Sequence, residues 1–394
     1  MGNTPEPEDF SLVLGGPLYQ LFRRAHLSGD HLELLRRRVL FFSALTWLPL
    51  FVISALEGHA WDGGINVPFL RDIDVHVRFL VALPLLVLAE LVVHQRMKPV
   101  LAQFRTRGLI AESSRTRFDA AVASAYRLRN SVVAELLLLG AVYGVGVLLL
   151  WRKNAALDVS SWYGTPADGT LNPSLAGWWL GIVSLPIFQF LLLRWYFRLA
   201  IWARFLWQVS RMELRLVPTH PDRAGGLGFL GTLSYAFSPL LVAQGLLLAG
   251  VLANRIFYAG EKLPDFKAQI IGTVATMVLF VVGPSLSFMP ALAAAKRTGQ
   301  REYGTLAQRY VREFDDKWLR GGAPPDEPFV GSGDIQSLAD LGNSYEVIKE
   351  MRPVPFTMQT VFQLGVATLA PIAPLLLTMF PLSDLLQKLL QVIF

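Results

Sequence analysis

The stretch PVPFTMQTVFQLGVATLAPIAPLLLTMFPLS, residues 353–383, runs for 31 residues without an Asp, Glu, Lys or Arg. Two further charge-free runs lie at 224–253 and 268–295. The hydrocarbon core of a bilayer needs about 20 apolar residues in a helix. A soluble domain of this size does not bury three such segments, so the chain reads as a polytopic membrane protein. Only 17% of its 394 residues are charged, against about 25% in soluble domains. There is no cysteine, which excludes disulfides, thiolate metal sites and cysteine nucleophiles.

Working outward, the apolar pattern predicts seven spans at 39–56, 79–93, 132–151, 176–196, 229–253, 268–294 and 356–380. Lipid-exposed backbone must satisfy its own hydrogen bonds, and no period-2 barrel pattern appears, so each span is helical. The fold class is all-α: a transmembrane bundle of seven spans, or six with a re-entrant hairpin. The alternative arises because Pro371 and Pro374 interrupt the last span. No short apolar core with a cleavage site precedes the first span, so it serves as the insertion signal. With the N-terminus inside, 28 of the 36 Lys and Arg fall on the inner side, and every loop obeys the positive-inside rule. Trp61, Trp162, Tyr163, Trp178 and Trp179 then fall at the outer interface, where amphipathic rings settle.

The remaining organisation follows from these spans. Residues 1–38 form an inner segment in which Leu18, Leu21, Phe22 and Ala25 predict an interfacial helix. Residues 39–295 hold spans one to six, and 296–355 form an inner helical hairpin. Residues 356–394 hold the last span and an amphipathic tail. The first hairpin helix carries an apolar stripe from Tyr303 to Trp318 at three- and four-residue spacing. A faint repeat links Val81-Ala82-Leu83-Pro84-Leu85 with Val183-Ser184-Leu185-Pro186-Ile187, and Val282-Gly283-Pro284-Ser285 is a looser third copy. Helix-breaking prolines at matching places mark binding sites in some transporters.

Ionisable groups at membrane depth carry the first functional expectation. Glu90, His94 and Lys98 share one helix face near the inner end of the second span. Glu135 begins the third span, and Arg194 and Arg198 end the fourth. These groups lie at similar depth, so they either pair between helices or form a charged inner mouth. Beyond Arg198, Arg204, Arg211 and Arg215 continue a basic stripe with Trp195, Trp202 and Trp207 interleaved. The stripe either snorkels onto lipid headgroups or faces a phosphate, an anion or a conduit, and its place beside a membrane argues against nucleic acid. Uncharged groups, Gln359 and Gln363 among them, stand at mid-depth, where they line a path or stitch helices together.

The most motif-like stretch is Val-Pro-Thr-His-Pro-Asp-Arg-Ala-Gly-Gly-Leu-Gly-Phe, beginning at Val217. Its glycines permit positive φ. The loop with His220, Asp222, Arg223, Gly225, Gly226 and Gly228 reads either as an anion-binding nest ahead of a helix or as a corner capped by His220 and Asp222. It lacks the Gly-Lys-Ser/Thr of a P-loop. No nucleophile elbow or metal-spaced histidine cluster occurs, so no catalytic residue, metal or cofactor is expected. The stretch from His220 to Leu230, with Ser-Leu-Ala-Asp-Leu-Gly-Asn-Ser from Ser337 and Met-Arg-Pro-Val-Pro-Phe from Met351, resembles an uncharacterised family of bacterial multi-pass inner-membrane proteins. The resemblance implies a bacterial inner membrane and carries no known activity, so it transfers no functional residue.

The leading functional expectation is a passive channel or facilitator for a small ion or solute. Glu90, His94, Glu135, Arg194 and Arg198 would set selectivity, and Gln359 and Gln363 would line the path. One alternative is a scaffold or signalling protein that binds a cytoplasmic partner through the stripe from Tyr303 to Trp318. A second is an enzyme acting on a lipid-linked phosphate at the loop. The expected surroundings are the lipid bilayer and further copies of the chain, without nucleic acid.

Overall fold

The computed structural model describes residues 35–379 apart from 63, 145, 147–159 and 168–169, together with 11–13, 15 and 17. The expected interfacial helix over 18–25 and the tail after 381 lie outside the described residues. The fold is all-α. Its helices are α1 (Leu35–Leu56), α2 (Ile73–Thr106), α3 (Arg115–Arg129), α4 (Val132–Gly144), α5 (Leu175–Ser210), α6 (Phe229–Ala259), α7 (Leu263–Trp318), α8 (Gly333–Lys349) and α9 (Met358–Met379). One antiparallel hairpin, β1 (Gly164–Ala167) and β2 (Thr170–Pro173), precedes α5.

Six of these helices, α1, α2, α5, α6, α7 and α9, are long and apolar enough to cross a bilayer. They expose apolar side chains rather than hiding them: Leu40, Phe41 and Leu48 on α1, Ile271 and Leu279 on α7, Met358 and Phe362 on α9. A surface of that kind is stable only against lipid, so this is an integral membrane protein. The described part of α4 is short for a span. Glu135 meets Arg194 at one end of the bundle. At the other end the Ser160 carbonyl accepts from Asn66 and Val67 ahead of α2. The last helix does not turn back within the described residues. It passes from α-helix at Met358–Leu369 into a tighter 3-10 stretch at Ala370–Met379, where Pro371 and Pro374 remove donors.

Proline also shapes α2 and α5. The ladder widens to the π pattern at Val77–Ala82 and at Leu180–Ser184, two residues before Pro84 and Pro186. Both copies of the sequence repeat therefore share one local distortion, while the looser copy is a 3-10 segment, Gly283–Phe288. Small residues let backbones meet, the usual device between helices in lipid. A Cβ at Gly245 of α6 would lie 2.1 Å from the Thr368 carbonyl oxygen of α9. This contact turns Thr360, Leu364 and Thr368 of α9 inward and leaves Gln359 and Gln363 exposed.

The two ends of the bundle differ. At the end bearing few basic residues, Trp162 is fully buried and donates to Asp72 at 2.7 Å, and Asn254 donates to the other Asp72 oxygen at 2.7 Å. Trp162 and Tyr163 are thus core residues, not interface rings, because a buried carboxylate needs their neighbourhood's donors; Trp61 and Trp178 remain exposed. At the basic end, Phe104, Phe118, Phe205 and Phe229 join α2, α3, α5 and α6 with ring separations of 5.1–6.4 Å. Beyond it α7 runs on and packs against α8. Tyr310 and Trp318 donate to Asp334 of that partner helix, while Leu306 and Val311 of the same stripe stay exposed.

Candidate functional site

Two constellations lie toward the basic end. The first is a buried charge cluster drawn from four helices. Glu90 of α2 is ion-paired with Arg38 of α1. It also accepts from Arg198 of α5 at 2.8 Å and lies 3.6 Å from Arg194. Arg194 reaches Glu135 of α4 at 3.4 Å. The Arg198 guanidinium sits 4.7 Å from the Trp195 ring centroid, a favourable cation–π arrangement. Residues near the N-terminus close one side. Ser11 bonds His94 at 2.9 Å, Arg129 donates to the Ser11 carbonyl at 2.6 Å, and Leu12 and Val13 are buried. Five of the seven residues expected at an inner mouth therefore converge, and Gln359 and Gln363 stand apart on α9. Their company includes Arg38, which the sequence hides inside the run Arg36-Arg37-Arg38; only its helical phase with Phe42, Thr46 and Leu50 turns it inward. Pairing of this kind is what buried ions require, and here, among the described residues, three guanidiniums face two carboxylates.

The second constellation is the loop between α5 and α6 with the cavity beside it. Pro218 and Pro221 set the turn, and Gly225 and Gly226 adopt positive φ. The backbone N–H groups offered by this loop are engaged from within. Asp222 accepts from Ala224 at 2.8 Å, from Gly226 at 3.1 Å and from Gly228 at 2.8 Å. His220 Nδ1 lies 2.9 Å from the same carboxylate. Burial alone would raise the Asp222 carboxyl, but the three N–H groups and His220 outweigh it and hold it below its ordinary range. Gly228 is required here because a Cβ would come within 2.9 Å of Asp222. The loop is thus a corner whose nest holds its own carboxylate. Arg223 faces away, paired with Glu350 at 2.9 Å.

What the corner builds is a cavity of about 700 Å³ between the last turns of α2, the loop, the first turn of α6 and the entry to α9. Among the described residues its charged lining comes from Arg96 of α2, Arg107 just after that helix, and Arg352, with Asp222 the one carboxylate, an excess of two positive charges. Arg352 donates to the Asp222 carbonyl at 2.8 Å, and Arg107 to the Gly226 carbonyl at 3.1 Å while lying over the Phe229 ring. Arg96 is exposed and makes no ion pair among the described residues. Val100, Phe229 and Leu233 supply an apolar wall. His220, Asp222 and Gly228 border this cavity, whereas Gly225, Gly226 and Arg223 do not. Sequence reasoning missed the three arginines, since positions 96, 107 and 352 meet only through the fold. Among the described residues no group of carboxylates and histidines has the arrangement of a metal site.

Comparison with known protein families, with curated proteins and with solved structures finds no match to this chain.

Proposed function

We propose that this membrane protein captures an anion of the phosphate type in the cavity at its basic end. One observation carries the reading: three guanidinium groups from two distant parts of the chain converge on one concave volume, and the only carboxylate lining it among the described residues is already tied to backbone N–H groups. Guanidinium forks match phosphate oxygens in pairs, which a point charge does not. The cavity lining has no activated nucleophile, so binding or passage fits it better than hydrolysis. The test is thermal unfolding of the purified protein in neutral detergent and low salt, with inorganic pyrophosphate added. A ligand present at a hundredfold its Kd stabilises by about 2.7 kcal/mol. The reading expects a rise in Tm that saturates with pyrophosphate and is lost in R96Q/R352Q; an unchanged Tm in the parent protein contradicts it.

A second reading, passive passage of a small ion or solute, is favoured by the matched π segments in α2 and α5. Such bulges concentrate at functional sites. In this reading the buried cluster of Glu90, Arg194 and Arg198 sets selectivity and the segment around Ser11 covers its mouth. Ion flux into proteoliposomes, before and after deletion of residues 1–17, decides it.

A further inference from the structure

We infer that the anion taken by this cavity is the phosphate headgroup of a net-anionic membrane lipid, one without a compensating cationic group. The inference rests on the anion-binding reading above and names the ligand's class. Three observations support it. First, the cavity holds two kinds of wall: Arg96, Arg107 and Arg352 on one part, Val100, Phe229 and Leu233 on another. A free phosphate has no use for the apolar part, whereas an esterified phosphate brings carbon with it. Second, Thr357 lines the cavity and is followed at once by Met358 and, one turn later, Phe362, which are 81% and 71% exposed. Apolar side chains so exposed at the head of a spanning helix face lipid, so the cavity rim lies at the level where α9 enters the bilayer. Third, a volume near 700 Å³ falls within the roughly 300–1,000 Å³ that encloses a ligand of many heavy atoms. Arg96 is the guanidinium left open toward such a ligand, while Arg107 and Arg352 also hold the loop.

The experiment is native mass spectrometry of the full chain in neutral mixed micelles. The micelles contain phosphatidic acid and phosphatidylcholine in equal amounts, and a second arm contains inorganic phosphate without added lipid. The expected result is one retained phosphatidic acid per chain, favoured at least tenfold over phosphatidylcholine. R96Q should reduce that preference several-fold and R96Q/R352Q should abolish it, while R309Q, far out on α7, leaves it unchanged. Arg96 makes no ion pair among the described residues, so R96Q removes no contact seen there and its result stands even if R352Q unfolds the loop. Equal retention of both lipids overturns the inference, as does an undiminished preference in R96Q. Binding of inorganic phosphate but not of phosphatidic acid overturns the lipid assignment and leaves the anion reading standing. Binding of neither removes both.

Discussion

Replacing Glu90 with glutamine should be among the most damaging conservative changes in this protein. The side chains of Glu90, Arg38, Arg198 and Arg194 are only 6%, 1%, 4% and 7% exposed. At an effective dielectric of about 20, one charge pair at ~4 Å is worth about 4 kcal/mol. Glu90 holds three such partners, and the desolvation of all four groups offsets most of the sum. Removing the carboxylate relieves its own desolvation but none of that of the guanidiniums. It leaves three buried guanidiniums, of which Arg194 keeps Glu135 at 3.4 Å, and the loss should be about 3–5 kcal/mol, the range for a broken buried pair. Gln retains the shape, so packing changes little. The assay is reversible unfolding in mixed micelles with increasing SDS, followed by tryptophan fluorescence. E90Q should shift the midpoint to much lower SDS, and E90Q/R38Q should recover part of the loss because it also removes one of the buried cations that Glu90 faces. A shift in E90Q below ~0.5 kcal/mol, the size of an ordinary surface change, would refute the claim that the cluster is desolvated.

Two other substitutions probe the corner and the helix contact. Asp222 has a folded-state carboxyl held below its ordinary value, so its contribution is present above the unfolded value of about 3.9 and fades as pH falls through the folded one. D222N should cost about 1–3 kcal/mol at neutral pH through the charged hydrogen bonds to Ala224, Gly226 and Gly228, and should flatten the acid limb of a Tm-against-pH curve; an unchanged acid limb contradicts the assignment. On α6, G245V would drive a side chain into the Thr368 carbonyl. Separation of α9 should follow, seen as faster proteolysis between Met358 and Met379 in detergent, whereas G272V, which has open space around it, should behave like the parent.

Much of the bundle is legible in the sequence because lipid imposes a coarse rule: charges leave and apolar runs stay. The convergence of Glu90, His94, Glu135, Arg194 and Arg198 follows from depth alone, since each lies the same few turns from the basic end. Arg38 escapes that logic. It belongs to a run of three arginines that reads as an inner flank, and the signal that reveals it is the four-residue spacing of Arg38, Phe42, Thr46, Leu50 and Ser54 on the buried face of α1. Gln359 and Gln363 err in the opposite sense: hydropathy puts them at mid-depth, but the rotation of α9 is fixed by where Gly245 meets Thr368, a contact no local pattern encodes. In the loop, the glycine pattern promises free N–H groups. Only the distances show that Asp222 consumes them and that the open positive charge lies beside the loop, on Arg96.

Because the chain has no cysteine, single introduced thiols report position without background. Thr116 and Ser337 lie exposed at the basic end, and Asp62 and Thr165 lie exposed at the other. In oriented vesicles treated with a membrane-impermeant maleimide, T116C and S337C should react from one side only, and D62C and T165C from the opposite side only. Labelling of T116C and T165C from the same side would contradict a bundle that carries its arginine-lined cavity on one face of the bilayer.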